Sequence, residues 1–230
     1  MCMQHKLDYP QKQFEHAIVA VDVVIFTILD SQLSVLLLEL KEAPLTGKWA
    51  LPGGLVRVDE DCDQAVARHL QEKANVSDIY TEQLFTFSAI DRDPHGRVIS
   101  VSYFTLAPQD KLHPQTTPRY QGIALHPLSR LPDLAYDHRQ IIDTALSRLR
   151  SKIEYTNVVY SLLPKEFTLT QLQSTYEVIL GRPLDKRNFR KKILSLGLVK
   201  SLDRTTAGLA HRPAQLYAFI NRKPTFANIL

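Results

Sequence analysis

Three side chains in the stretch GLVRVDEDCDQAVARHLQEKANV, Gly54 to Val76, set the first question: His69, Glu72 and Lys73. At helical spacing they lie one turn apart on one face. Three carboxylates so placed would hold hard divalent cations through oxygen ligands. The cations would then activate water and neutralise a diphosphate for hydrolysis. Here Glu72 is the one carboxylate of the three. A neutral imidazole at 69 is a poor magnesium ligand, and an ammonium at 73 repels the ion. The expectation is weak or absent hydrolysis, with no catalytic residue and no metal site.

A pocket can outlive its catalysis. Gly53 and Gly54 open a loop that feeds this helix, and loop and helix together make a concave site. Lys73 then replaces part of the missing metal charge beside a diphosphate. Arg57 and Arg68 are further candidate cations, with Arg68 equally readable as a salt bridge to Glu60 or Glu72. Trp49 has two readings, stacking on a base or packing in the core. His138 also has two: orienting a phosphate or ribose, or capping a helix beside Asp137.

A second set of residues points to nucleic acid. With Phe189 as the inward reference of the segment DKRNFRKKILSL, Ile193 and Leu196 fall near it. Arg187, Asn188, Arg190 and Lys191 fall on the opposite half. Arginine pairs bidentately with guanine, asparagine with adenine, and lysine binds phosphate. Lys186 sits at the helix start, where the partial positive charge of the N-terminus adds to the attraction. The helix before it supplies Thr168, Thr170 and Gln171. Arg204 and Arg212 flank a following loop long enough to enter a minor groove or hold a phosphate. The alternative for the RKK run is a solvated helix face.

The elements that must position these residues are legible in outline. HAIVAVDVVIFTI, LSVLLLEL, YTEQLFTFSAI and RVISVSYFTLA are rich in β-branched and aromatic residues and read as strands. DCDQAVARHLQEKA has helical spacing, with Val66, Leu70 and Ala74 on one stripe, and DHRQIIDTALSRLR reads as a second helix. Strands with few helices, not in strict alternation, predict an α+β chain built on an α/β/α sandwich. After Arg150 the order changes. IEYTNVVYSLLP reads as a helix ending at Pro164. Next comes FTLTQLQSTYEVILG, with a capping box at Thr168 and Gln171 and a staple of Phe167 on Leu172. DKRNFRKKILSL and two short strands, LVKSL and QLYAFI, complete the order of a winged helix-turn-helix.

Charge divides the chain at the same place. Residues 1–150 hold 15 Lys+Arg against 19 Asp+Glu, net −4, and residues 151–230 hold 13 against 5, net +8. The division predicts two units with different partners, 1–150 and 151–230, the basic one facing a polyanion such as DNA. The longest apolar run, AIVAVDVVIFTIL, is too short for a membrane span and carries Asp22. The start lacks the apolar core of a signal peptide. Cys2 and Cys62 have no metal-type spacing and read as free thiols in a reducing cytoplasm.

GKWALPGGLVRVDEDCDQAVARHLQEKANV resembles a degenerate Nudix box. Gly54, Glu60, Arg68, Leu70, Glu72 and Val76 match its pattern; His69, Lys73 and Asn75 depart from it. DRDPHGRVISVSYF is similar to the segment after the box in ADP-ribose-type Nudix proteins, which adds Arg92, Arg97 and Tyr103 to the candidate ligand residues. With YDHRQII, FTLTQLQ, RNFRKKI and RPAQLY, nearly the whole chain resembles the NrtR family, Nudix-related transcriptional regulators of NAD metabolism. The resemblance implies a Nudix sandwich followed by a winged helix. It further implies a homodimeric repressor of NAD-metabolism genes on a palindromic operator in double-stranded DNA. ADP-ribose would act as effector rather than cofactor, binding the Nudix domain and releasing the DNA. Relatives of this architecture answer other ligands, sugars included. A working hydrolase with an accessory tail, and an adaptor using its winged helix for protein contact, are the competing classes. The expected hinge between the units lies around Arg148–Glu154.

Overall fold

The computed structural model describes residues 16–115, 118, 120–206 and 213–230. Arg212 lies outside the described residues.

The first half is a mixed sheet with one helix on each face. Strands β1 (Ile18–Leu29) and β2 (Gln32–Leu40) form a hairpin, paired only from Phe26↔Val35 to the turn. Beyond that point they splay. Two short strands, β3 (Trp49–Ala50) on β2 and β4 (Gly53–Leu55) on β1, fill the wedge. The other edge of β1 runs parallel to β6 (Val98–Leu106), which pairs antiparallel with β5 (Tyr80–Phe87). Strand β7 (Tyr120–Pro127) closes the far side against β2.

Alternation along β1 decides which residue faces which helix. Val21, Val23 and Ile25 pack with Val66, Leu70 and Ala74 of α1 (Cys62–Ala74). Val24 and Phe26 face the other way, with Ile141, Ile142 and Ala145 of α2 (His138–Tyr155). Asp22 is on this second face. Helix α1 starts at a capping box of Asp61 and Gln64 and ends at Asn75, whose φ of 50° is left-handed. Asparagine tolerates that conformation better than most non-glycine residues. It therefore serves where the box pattern has glycine.

The second half packs α3 (Leu169–Leu180) and α4 (Lys186–Ser195) on a small sheet. The sheet contains β8 (Phe167–Thr168), β10 (Gln215–Phe219) and β9 (Val199–Thr205) in that order. The expected capping box of Thr168 and Gln171 is present, Phe167 and Leu172 are both fully buried, and Gly181 ends α3 in a left-handed conformation. The fold is thus a sandwich followed by a winged helix.

Two expectations are corrected here. IEYTNVVYSLLP is not one helix: α2 runs on through Tyr155, Thr156 is extended, and a 3-10 turn follows at Val158–Leu162. The segment Arg148–Glu154 is accordingly uninterrupted helix rather than a break in the chain. Strand β7 was not foreseen, because YQGIALHP lacks a dense β-branched pattern and carries Gly122.

Candidate functional site

The wedge between β1 and β2 is where the glycine pair sits. A Cβ on Gly53 would collide with the Val21 carbonyl and come within 2.7 Å of the Asp22 carboxylate. Gly54 has φ of +153°, and a Cβ there would stand 3.0 Å from the His69 ring. Only glycine fits either position. The loop is pressed between β1 on one side and α1 on the other.

A cavity of about 290 Å³ opens along this loop. Its lining includes Asp22, Gly53, Gly54, Arg92, His95, Tyr120, Tyr136 and His138. Four of these were expected: Gly53, Gly54, Arg92 and His138. Asp22, His95, Tyr120 and Tyr136 were missed. Asp22 had a signal, an ionisable residue inside an apolar β run. Tyr136 had none; it holds a left-handed φ of 53°, rare for a non-glycine residue.

The polar floor is a closed network. Arg92 donates to both oxygens of Asp137, at 3.0 and 2.7 Å, and to Asp22 at 3.3 Å. Ser100 donates to Asp22 at 2.6 Å. The Leu51 amide donates to His138 Nδ1 at 2.9 Å, so the ring proton is on Nε2, which faces Asp22 at 3.4 Å. Burial pushes the Asp22 carboxyl up, but His138, Ser100 and Arg92 outweigh it and hold the group well below the usual carboxylate range. His138 is therefore built into the framework, at the cavity and at the start of α2 together.

The remaining ligand candidates sit elsewhere. Glu60 takes two hydrogen bonds from Arg68, and this pairing holds its carboxyl near pKa 2. Arg68 also reaches the Leu55 carbonyl, so its salt-bridge reading is the one the geometry supports. Glu72 is exposed, 3.6 Å from both Arg68 and His69. Lys73 is buried, its ammonium on the Gly53 carbonyl and 5.2 Å over the Tyr120 ring. Arg57 is exposed outside the cavity lining. Arg97 donates to the Ser88 and Ala89 carbonyls. Tyr103 lies in the α1 layer, donating to Asp63 at 2.6 Å. Trp49 meets His126 edge to face at 4.4 Å and packs against the core. Neither Tyr103 nor Trp49 lines the cavity.

The second candidate surface is α4. Asp185 caps it, accepting from the Asn188 amide at 2.7 Å. Phe189 and Ile193 are buried, while Lys186, Arg187, Asn188 and Lys191 are exposed. Arg190 is half-buried and donates to the Thr170 hydroxyl at 3.0 Å, which ties α4 to the start of α3. Thr168 is buried with its hydroxyl in the α3 cap, and the exposed Gln171 joins that cap through its side-chain oxygen. Arg204 pairs with Glu166. The outward set is thus three cations and an amide on one helix, with Thr170 beside them.

Comparison with known proteins finds both halves. A family model described as the NUDIX domain matches residues 19–145, and one described as the NrtR DNA-binding winged helix domain matches 159–219. The ADPR responsive transcriptional repressor NtrR of Acinetobacter baylyi is 36% identical over 225 residues, 95% of this chain and 86% of that protein. The crystal structure of Shewanella oneidensis NrtR complexed with a 27mer DNA is 35% identical with a TM-score of 0.77, covering 87% of this chain and 93% of that one. The cocrystal structure of the NUDIX domain of the same protein with ADP ribose is 37% identical with a TM-score of 0.54, over 62% and 94% of the two chains.

Proposed function

Because the chain belongs to the Nudix family and carries the NrtR winged helix behind its Nudix domain, we propose that it is an ADP-ribose-responsive repressor of NAD-metabolism genes. The observation that carries the reading is helix α2. Its first residue, His138, lines the Nudix cavity, and further along Arg150 donates to the Ile179 carbonyl of α3, 2.9 Å away. A small-molecule pocket and a DNA-reading fold are thus joined by one continuous element. Residues 1–150 act as the sensing unit and 151–230 as the DNA-binding unit, with α2 shared between them.

The outward face of α4 supplies what major-groove reading needs. Arg187 and Asn188 address base edges, and Lys186 and Lys191 address phosphates. A homodimer presents two such helices to a palindromic operator. The cavity takes the effector at the glycine pair, and the Asp22–Arg92–Asp137–His138 network sits at its floor. The domain binds without hydrolysing. Two of the three helix carboxylate positions hold His69 and Lys73, and Glu60 is committed to Arg68.

The test is fluorescence anisotropy of DNA upstream of neighbouring NAD-metabolism genes, titrated with the full chain in the presence and absence of ADP-ribose. Tight, salt-sensitive binding that ADP-ribose weakens is the expected result. Tight binding indifferent to ADP-ribose leaves the repressor and rejects the effector. Release of AMP from ADP-ribose in magnesium, abolished by Glu72→Gln, would establish a hydrolase instead.

A further inference from the structure

The Nudix fold implies a divalent metal on α1, and the residues of this chain do not fit one. A hard cation needs several oxygen donors around one point. His69 offers a ring that is 5% exposed beneath Gly54. Glu60 is bound to Arg68, and Glu72 is turned toward Arg68 and His69 at the surface. Among the described residues no three His, Cys, Asp or Glu side chains gather as a metal site.

The place is taken by an ammonium. Lys73 is 4% exposed, and its Nζ donates to the Gly53 carbonyl. It stands 5.2 Å from the centre of the Tyr120 ring. Gly53 and Tyr120 both line the cavity and Lys73 does not, so the charge lies behind the wall, against the Gly53 carbonyl and the Tyr120 ring. A carbonyl oxygen and an aromatic face both attract a cation and hold it in one position. A metal ion entering the notch would have to displace Nζ and would meet its charge at close range.

We infer that Lys73 is the built-in cation of this pocket and that a nucleoside diphosphate binds there without any metal ion. The inference rests on the ligand reading above and deepens it. A covalent ammonium cannot dissociate, so occupancy of the sensor follows the diphosphate alone, independent of free magnesium. A preorganised charge also spares the ligand the cost of assembling a metal site.

The experiment is calorimetric titration of the full chain with ADP-ribose in EDTA and again in excess magnesium. The expected dissociation constants agree within about twofold. Lys73→Met keeps the length of the side chain and its contact with Tyr120. It weakens binding by about fivefold in both buffers, since the ammonium acts on the diphosphate through space from behind the wall. Lys73→Glu weakens binding in EDTA and recovers part of it in magnesium, since it returns a second carboxylate beside Glu72. A melting temperature close to that of the parent shows that Lys73→Met is folded, and that variant carries the test alone where Lys73→Glu does not fold. Parent binding that needs magnesium, or unchanged affinity in Lys73→Met, overturns the inference while leaving the sensor in place. Absence of binding in either buffer overturns the ligand reading itself, and the inference with it.

Discussion

Among the described residues, neither ring nitrogen of His69 has a hydrogen-bond partner, although the ring is buried. Burial, with the nearby charges of Lys73 and Arg68, drives its pKa down to about 3. The ring is neutral in the fold and serves as a flat surface under Gly54. In the unfolded chain the same imidazole takes up a proton near pH 6.5. Acid therefore favours the unfolded chain: the stabilising difference is whole above about pH 6.5 and is lost as pH falls toward 3. Between pH 7 and pH 5 this residue alone is expected to remove about 2 kcal/mol. Urea unfolding at the two pH values measures it, and His69→Leu should show a smaller loss between them. An equal loss in parent and variant would place the pH sensitivity elsewhere. The identity of His69 was legible in the sequence. Its burial against a glycine was not, since that depends on a loop folding back from the wedge between β1 and β2.

At the scale of elements, the proposed DNA-reading face of α4 would make two kinds of contact. Asn188→Ala should relax specificity at one base position, costing about 1–3 kcal/mol on the cognate operator and little on random DNA. Lys191→Ala should weaken all sequences alike and lower the salt slope by about one. Anisotropy on cognate and scrambled duplexes across a salt series checks both, and a reversed pattern would mean that α4 docks in a different orientation. The inward and outward faces of α4 could be read from periodicity, because Phe189 and Ile193 recur at helical spacing. The same reasoning found β1, β2, β5, β6 and α1. Partners were harder to read: Thr168 is buried and caps α3, and the exposed Gln171 shares that cap through its side-chain oxygen. Sequence reasoning failed at the end of α2, where the charge shift near residue 150 suggested a boundary. Net charge governs partners, not backbone hydrogen bonds, and the helix continues through it. The cavity floor was hidden for a similar reason: Asp22 meets Arg92 and Ser100 at separations of 70 and 78 residues.

At the scale of the whole molecule, α2 runs from the cavity to the winged helix. At 18 residues it spans about 27 Å. Its start is held by the Arg92–Asp137 pair at the cavity. Its middle is tied to β5, where Glu82 meets Lys152 at 2.6 Å and Arg148 at 3.2 Å. Its end is held by the C-terminal residues, whose Ala227 and Ile229 amides donate to the Tyr155 and Glu154 carbonyls at 2.9 and 2.7 Å. The tail that carried no readable motif is thus a clamp on the helix. A ligand shifts the DNA-binding state only through contacts that differ between two states. Helix α2 offers one route for that shift, and Arg150 ties it to the Ile179 carbonyl of α3. Arg150→Ala should keep DNA affinity in the absence of ADP-ribose and shrink the change that ADP-ribose causes, a coupling of about 1–3 kcal/mol in the parent. The coupling is reciprocal, so operator DNA should weaken ADP-ribose binding by the same factor that ADP-ribose weakens DNA binding. Measuring both factors in parent and Arg150→Ala decides the matter. Equal factors that fall together in the variant place the coupling in α2, whereas a variant with full coupling would send it through another contact between the two halves.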